Sequence, residues 1–173
     1  PEKEVKRLIG EADAARDSAR AETDPVKRYF YRRTELDLCQ SARNKSHAGG
    51  RIHTELERRI TEIQPGVLAL AASNDMDEFE RDSRPESLEN ARKDIQELRD
   101  LLGVGLGDYK ALSIRLEALD GCREARTKSW DFEFEKALDL YEKALAKLDA
   151  INRPFPPAFR DDFRKSEWKV LER

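Results

Sequence analysis

Apolar residues recur along this chain at three- and four-residue spacing, and the clearest example is the segment 131–151. There Phe134, Leu138, Tyr141 and Leu145 share one helix face, and Ala137 and Ala144 beside them are small enough to let a second helix approach closely. Most of the remainder of that segment is Asp, Glu and Lys. The same rule predicts a helix over 2–22, with Val5, Leu8, Ile9, Ala12, Ala15 and Ala19 along one stripe, and another over 25–46. Helix 51–63 carries Ile52, Leu56, Ile60 and Ile63. Segment 67–82 opens on VLALAAS, apolar all round and therefore buried. Helix 85–102 turns Leu88, Ala91, Ile95, Leu98, Leu101 and Leu102 inward, helix 108–128 turns Leu112, Leu116 and Leu119, and helix 157–172 closes the chain with Phe159, Phe163, Trp168 and Leu171.

Punctuation residues set the boundaries. Asp24-Pro25 supplies an N-cap and a first-turn proline. Gly49-Gly50 stops the second helix, and Gln64-Pro65-Gly66 is expected to break the next. Ser83 and Glu86 flank Pro85 in the pattern of a capping box. Gly103, Gly105 and Gly107 end a helix, Asp108 is expected to cap its successor, and Gly121 to bend it. The pattern predicts an all-α protein of about eight antiparallel helices, as a helical bundle or a short α-solenoid of stacked helical hairpins. A single domain over 1–173 is expected, with a sub-boundary near 64–66 and a proline-rich linker at 152–157. Both ends fall inside helical patterns, as in a domain excised from a longer protein.

Composition narrows the class. Charged residues make up 40% of the chain and hydrophobic residues 38%, so the apolar stripes are narrow and the charged faces broad. With 33 basic and 36 acidic residues the net charge is −3, which disfavours a dedicated nucleic-acid binder or a membrane-surface protein. No apolar run approaches the ~18 residues of a membrane span, and PEKEVKRLIGEADAARDS lacks the apolar core of a signal peptide. A cytoplasmic, intracellular protein is the expectation, with Cys39 and Cys122 as reduced thiols.

Candidate chemistry is thin. His47 and His53 lie six apart across Gly49-Gly50, a spacing that does not suit a metal pair, and are expected as solvated loop residues. Cys39 with His47 lacks a third group or an oxyanion feature. The run 103–107 follows a helix rather than a strand and is followed by no Gly-Lys-Ser or Gly-Lys-Thr, so a flexible turn explains it better than a phosphate loop. The acidic run from Asn74 to Glu80 has no central glycine for a calcium loop and is expected as a solvated patch. Asn44-Lys45-Ser46 fits a glycosylation acceptor by coincidence. No enzyme activity, metal or cofactor is expected.

At Ala137, Tyr141 and Ala144 the run FEKALDLYEKAL resembles the second helix of a tetratricopeptide repeat: Ala, a large aromatic four residues on, then Ala three later. Segment 25–46 has a loosely similar layout, with aromatics early and Cys39 and Ala42 late. The resemblance implies helical-hairpin packing and a protein-binding role. It covers Phe134–Leu145 well. The preceding helix places Gly121, Glu124, Ala125 and Lys128 where such repeats set Trp, Leu-Gly and Tyr. Asp149 stands where a proline is expected, and no period of about 34 residues runs through the chain.

The sharpest local feature is the segment 27–33, where Lys27, Arg28, Arg32 and Arg33 interleave with Tyr29, Phe30 and Tyr31. Basic side chains between aromatics can hold phosphates and stack bases. Over 27–59 nine basic residues face four acidic ones. Positions 29, 30 and 33 share one side of a helix, so most of the aromatics are expected in the core, with at least one partly exposed. Near the C-terminus Phe163 and Trp168 are candidate interface anchors. The expected function is an intracellular helical scaffold or adaptor that binds a protein or peptide partner through residues such as Lys27, Arg28, Tyr31, Arg32, Arg33, Phe163 and Trp168. The alternative is a nucleic-acid contact made by 27–33.

Overall fold

A computed structural model describes all residues, 1–173. It contains seven α-helices and two short 3-10 turns, and no strand: α1 (Glu2–Ala21), α2 (Pro25–Lys45), α3 (Arg51–Asp82), α4 (Pro85–Leu102), α5 (Lys110–Trp130), α6 (Phe134–Ala150) and α7 (Arg160–Leu171), with the turns at Gly107–Tyr109 and Pro157–Phe159. The chain divides into two compact units, Pro1–Ala71 and Ala72–Arg173. The division falls inside α3.

The count is seven rather than about eight because the expected break at Gln64-Pro65-Gly66 is absent. Pro65 lies inside α3. It lacks the N–H that would bond Thr61, at a usual cost of about 3 kcal/mol. Ile60, Ile63 and Val67 on either side of it are buried in one apolar cluster, and that burial outweighs the lost bond. Asn74-Asp75, likewise, does not end the helix.

In unit 1 the apolar stripes of α1 and α2 meet. Val5, Leu8 and Ala12 of α1 and Leu36, Cys39 and Ala42 of α2 are buried together with Leu56, Ile60, Ile63 and Val67 of α3. Small side chains at 12 and 42 let α1 and α2 pack backbone to backbone. The connection between them is locally determined. Asp24 Oδ1 accepts from Val26 N at 3.0 Å, Pro25 opens α2, and Arg28 donates twice to the Glu22 carbonyl at 2.7 and 3.0 Å.

In unit 2, α4 packs on α5, α5 on α6 and α6 on α7. Gly121 faces α6: a Cβ there would lie 3.7 Å from Ala144 Cβ and 3.8 Å from the Leu140 carbonyl. Those are ordinary contact distances, and α5 runs unbroken through the glycine. Two expected caps are also absent. Ser83 adopts φ 51 and donates its N–H to the Phe79 carbonyl, ending α3, while Pro85 opens α4 with no side-chain cap. Asp108 lies in the 3-10 turn and caps nothing. Gly103, at φ 91, donates to the Arg99 carbonyl and ends α4 as a turn glycine should.

Candidate functional site

Each unit holds a buried ion-pair cluster. In unit 1 it centres on Glu35, 1% exposed on α2. Its carboxylate accepts from Arg32 at 3.0 Å and from Arg59 of α3 at 3.0 and 3.3 Å, and Arg59 also reaches Asp13 of α1 at 2.7 Å. Three helices are tied through one guanidinium, that of Arg59. In unit 2 the centre is Arg115 of α5, 3% exposed, which binds Asp77 at 2.5 Å and Glu80 at 3.0 Å on α3. Arg153, after α6, reaches the same two carboxylates at 3.4 Å. The acidic run from Asn74 to Glu80 is therefore not a solvated patch: its helical spacing turns Asp77 and Glu80 together onto Arg115. Asp75 beside them is pushed above the ordinary carboxylate range by burial, with Glu78 adding to it.

The aromatic residues of unit 2 form a second closed structure. Tyr141 donates its hydroxyl proton to Asp162, which also accepts from Ser129 at 2.9 Å. Phe163 stacks on Tyr141 at 5.2 Å and meets Phe155 edge-on at 5.1 Å, while Arg126 sits 4.0 Å over the Phe159 ring and donates to the Ala158 carbonyl. Burial, and then the Asp162 carboxylate, raise the Tyr141 hydroxyl well above its ordinary range. Phe163 is thus held within the helix packing, whereas Trp168 is 63% exposed with its indole N–H on Glu172 at 2.7 Å.

The segment 27–33 opens α2. Tyr29 packs against the core of unit 1, Tyr31 is half-buried, and Phe30, 66% exposed, is the aromatic that the helix leaves in solvent. The first turns of α2 extend beyond the buried stripe, which begins at Glu35 and Leu36. Of the basic residues, Arg28 closes α1, Arg32 serves Glu35, and Arg33 pairs with Asp37 at 3.3 Å. Only Lys27 is left outside an ion pair or hydrogen bond.

The histidines part company. His47 lies in the turn after α2 as expected, but His53 stands in the first turn of α3. Its Nδ1 lies 2.9 Å from Ser46 Oγ and 3.1 Å from the Arg43 carbonyl, and its Nε2 3.1 Å from Glu57. Those contacts lock the α2–α3 turn. Cys39 and Cys122 are free and buried, and burial raises both thiols, Cys122 to about 12. Such thiols are poor nucleophiles at neutral pH. No group of three metal-ligating side chains comes together anywhere in the chain. No helix is long and apolar enough to cross a membrane.

One concave surface has an apolar floor and a charged rim. It is a groove of about 520 Å³ between α1 and α3, within unit 1. Ile9 of α1 and Ile52 and Leu56 of α3 make its floor; Asp13, Arg16, Arg51, Glu55, Arg58 and Arg59 rim it. A further cleft of about 610 Å³, bordered by Lys45, His47 and His53, adjoins it through Arg51 and Ile52. Ile52 is 40% exposed at the mouth of both. On the core side of the groove, Leu56 joins the cluster that α3 shares with α1 and α2. In the sequence the stripe Ile52-Leu56-Ile60 reads as wholly core, which conceals that its first turn lies open. No family model, curated protein or solved structure gives a significant match to the chain.

Proposed function

We propose that this protein is a helical scaffold or adaptor whose unit 1 docks a protein or peptide partner in the α1–α3 groove. The observation that carries the proposal is the groove itself: an apolar floor of Ile9, Ile52 and Leu56, open to solvent and rimmed by charge along walls about two helical turns long. Grooves of that form accept the apolar face of a helix. The titratable side chains found in clusters are engaged in structural ion pairs, which leaves surfaces as the means of action. The layout of Ala137, Tyr141 and Ala144 on α6, packed against α5, supports a helical-hairpin protein similar in style to the tetratricopeptide repeats. Two free, buried thiols favour an intracellular setting.

The test is affinity capture from nuclease-treated lysate with the whole chain and with Ile52→Asp. A partner captured by the first and lost with the second is the expected result. Capture that is indifferent to Ile52→Asp contradicts the groove.

A second reading keeps a nucleic-acid contact at 27–33, favoured by the exposed Phe30 ring beside Lys27. It predicts single-strand binding that weakens steeply with salt and disappears in Phe30→Ala. Binding unchanged in that variant excludes it.

A further inference from the structure

Resting on that docking role, we infer that the occupant of the α1–α3 groove is an acidic amphipathic helix of another protein. The charge around the groove carries the inference. Of its two rim carboxylates, Asp13 is answered by Arg59 at 2.7 Å and Glu55 by Arg58 at 3.0 Å. Two guanidiniums remain, one on each wall. Arg51 enters no ion pair. Arg16 has Asp13 at 3.7 Å and Asp17 at 3.6 Å, both beyond hydrogen-bond length, and its Nε is buried without an acceptor. A buried donor of that kind is costly until an acceptor reaches it. A carboxylate entering from above the groove satisfies Arg16, and a second one satisfies Arg51.

The surroundings favour the same sign. Unit 1 carries 14 basic and 12 acidic side chains, unit 2 carries 19 and 24, and together they make the chain's net −3. The positive excess lies in the unit that holds the groove, where it also raises the rate of encounter with an acidic partner. The occupant is a helix rather than a strand because the protein has no sheet edge to extend. The walls Ile9–Arg16 and Ile52–Arg59 each rise about 10 Å, the length of two helical turns. A helix with bulky apolar residues at i, i+3 and i+7 and carboxylates on both flanks matches that span.

The probe is a fluorescein-labelled peptide of Leu and Glu with Leu at i, i+3, i+4 and i+7, alongside versions in which every Glu is Gln or Lys. Anisotropy titrations are run against the whole chain, Arg16→Glu/Arg51→Glu and Ile52→Asp. The Glu peptide should bind the unaltered chain about tenfold more tightly than the Gln peptide, with the Lys peptide weakest. The double reversal should invert that order. Equal binding of the three peptides, no binding of any, or a Glu preference that survives the reversal overturns the acidic-partner inference. The docking role itself stands or falls separately, on whether Ile52→Asp removes the partner captured from lysate. If the double variant fails to fold by circular dichroism, Arg51→Glu alone carries the same test from an exposed first-turn position.

Discussion

Unit 1 buries a carboxylate and rings it with guanidiniums; unit 2 buries a guanidinium and rings it with carboxylates. The two clusters perform the same task, tying α3 to helices packed against it, but they leave different surfaces. In unit 2 the central cation consumes the acids around it, and the neighbouring aromatic residues close over Tyr141. In unit 1 the central acid has two arginines to satisfy it, Arg59 shares itself with Asp13, and Arg16 and Arg51 are left on either side of an open apolar groove. Under the proposed docking role, unit 1 is the one that keeps an open apolar groove flanked by unused guanidiniums, while the charges of unit 2 are spent internally.

The strongest way to break the comparison is at its two centres. Arg115→Ala leaves Asp77 and Glu80 facing each other with only the longer contacts of Arg153, at an expected cost of about 3–5 kcal/mol. Both tryptophans, Trp130 and Trp168, lie in unit 2, so urea unfolding followed by tryptophan fluorescence reads this loss directly. Glu35→Ala should cost less, about 1–3 kcal/mol, because Arg59 keeps Asp13 and Arg32 faces water. Far-UV circular dichroism should record that loss while tryptophan fluorescence stays in place. Equal losses in both units would remove the asymmetry.

Alkali sharpens the contrast. Burial raises the Cys122 thiol from 9.0 to about 12, so the folded state holds a proton that the unfolded chain has lost. The stability this contributes is complete below pH 9 and is lost as pH rises toward 12, with a limiting slope of about 1.4 kcal/mol per pH unit. Cys122→Ala should flatten that slope in urea titrations between pH 8.5 and 11. Gly121→Ala should stabilise unit 2 by about 0.5–1 kcal/mol, since its Cβ meets only ordinary contacts and alanine favours helix; Gly121→Leu should destabilise it by driving α5 from α6. Smallest of all, Ile52→Asp should change the unfolding free energy by no more than about 0.5 kcal/mol while removing partner binding.

Much of this was legible in the pattern of residues. Six of the seven helices follow from stripes and stop signals, and Asp24 with Pro25 marks the start of α2 within a residue. Pro65 misleads because a breaker's local cost is readable, whereas the burial of Ile63 and Val67 that outweighs it is tertiary. The ion-pair centres leave a trace that spacing arguments pass over. Arg115 stands on the stripe of Leu112, Leu116 and Leu119, and Glu35 lies four residues before Cys39 and beside Leu36. A charge at a core position announces a buried partner, but not which helix supplies it. The segment 27–33 drew notice by composition, yet three of its four cations have intramolecular duties that depend on where Glu22, Glu35 and Asp37 fall. The groove was hidden for a related reason. It is made by the gap between α1 and α3, and a gap has no residues of its own.

The central claim is that binding belongs to the α1–α3 groove. Nuclear magnetic resonance of the isotopically labelled chain, titrated with the unlabelled Leu-Glu peptide, tests it most directly. The account predicts that amide signals of Ile9–Arg16 and Arg51–Arg59 shift together and saturate, while those of α5, α6 and α7 stay still. Shifts confined to 27–33 or centred on Trp168, or none at all, would contradict it.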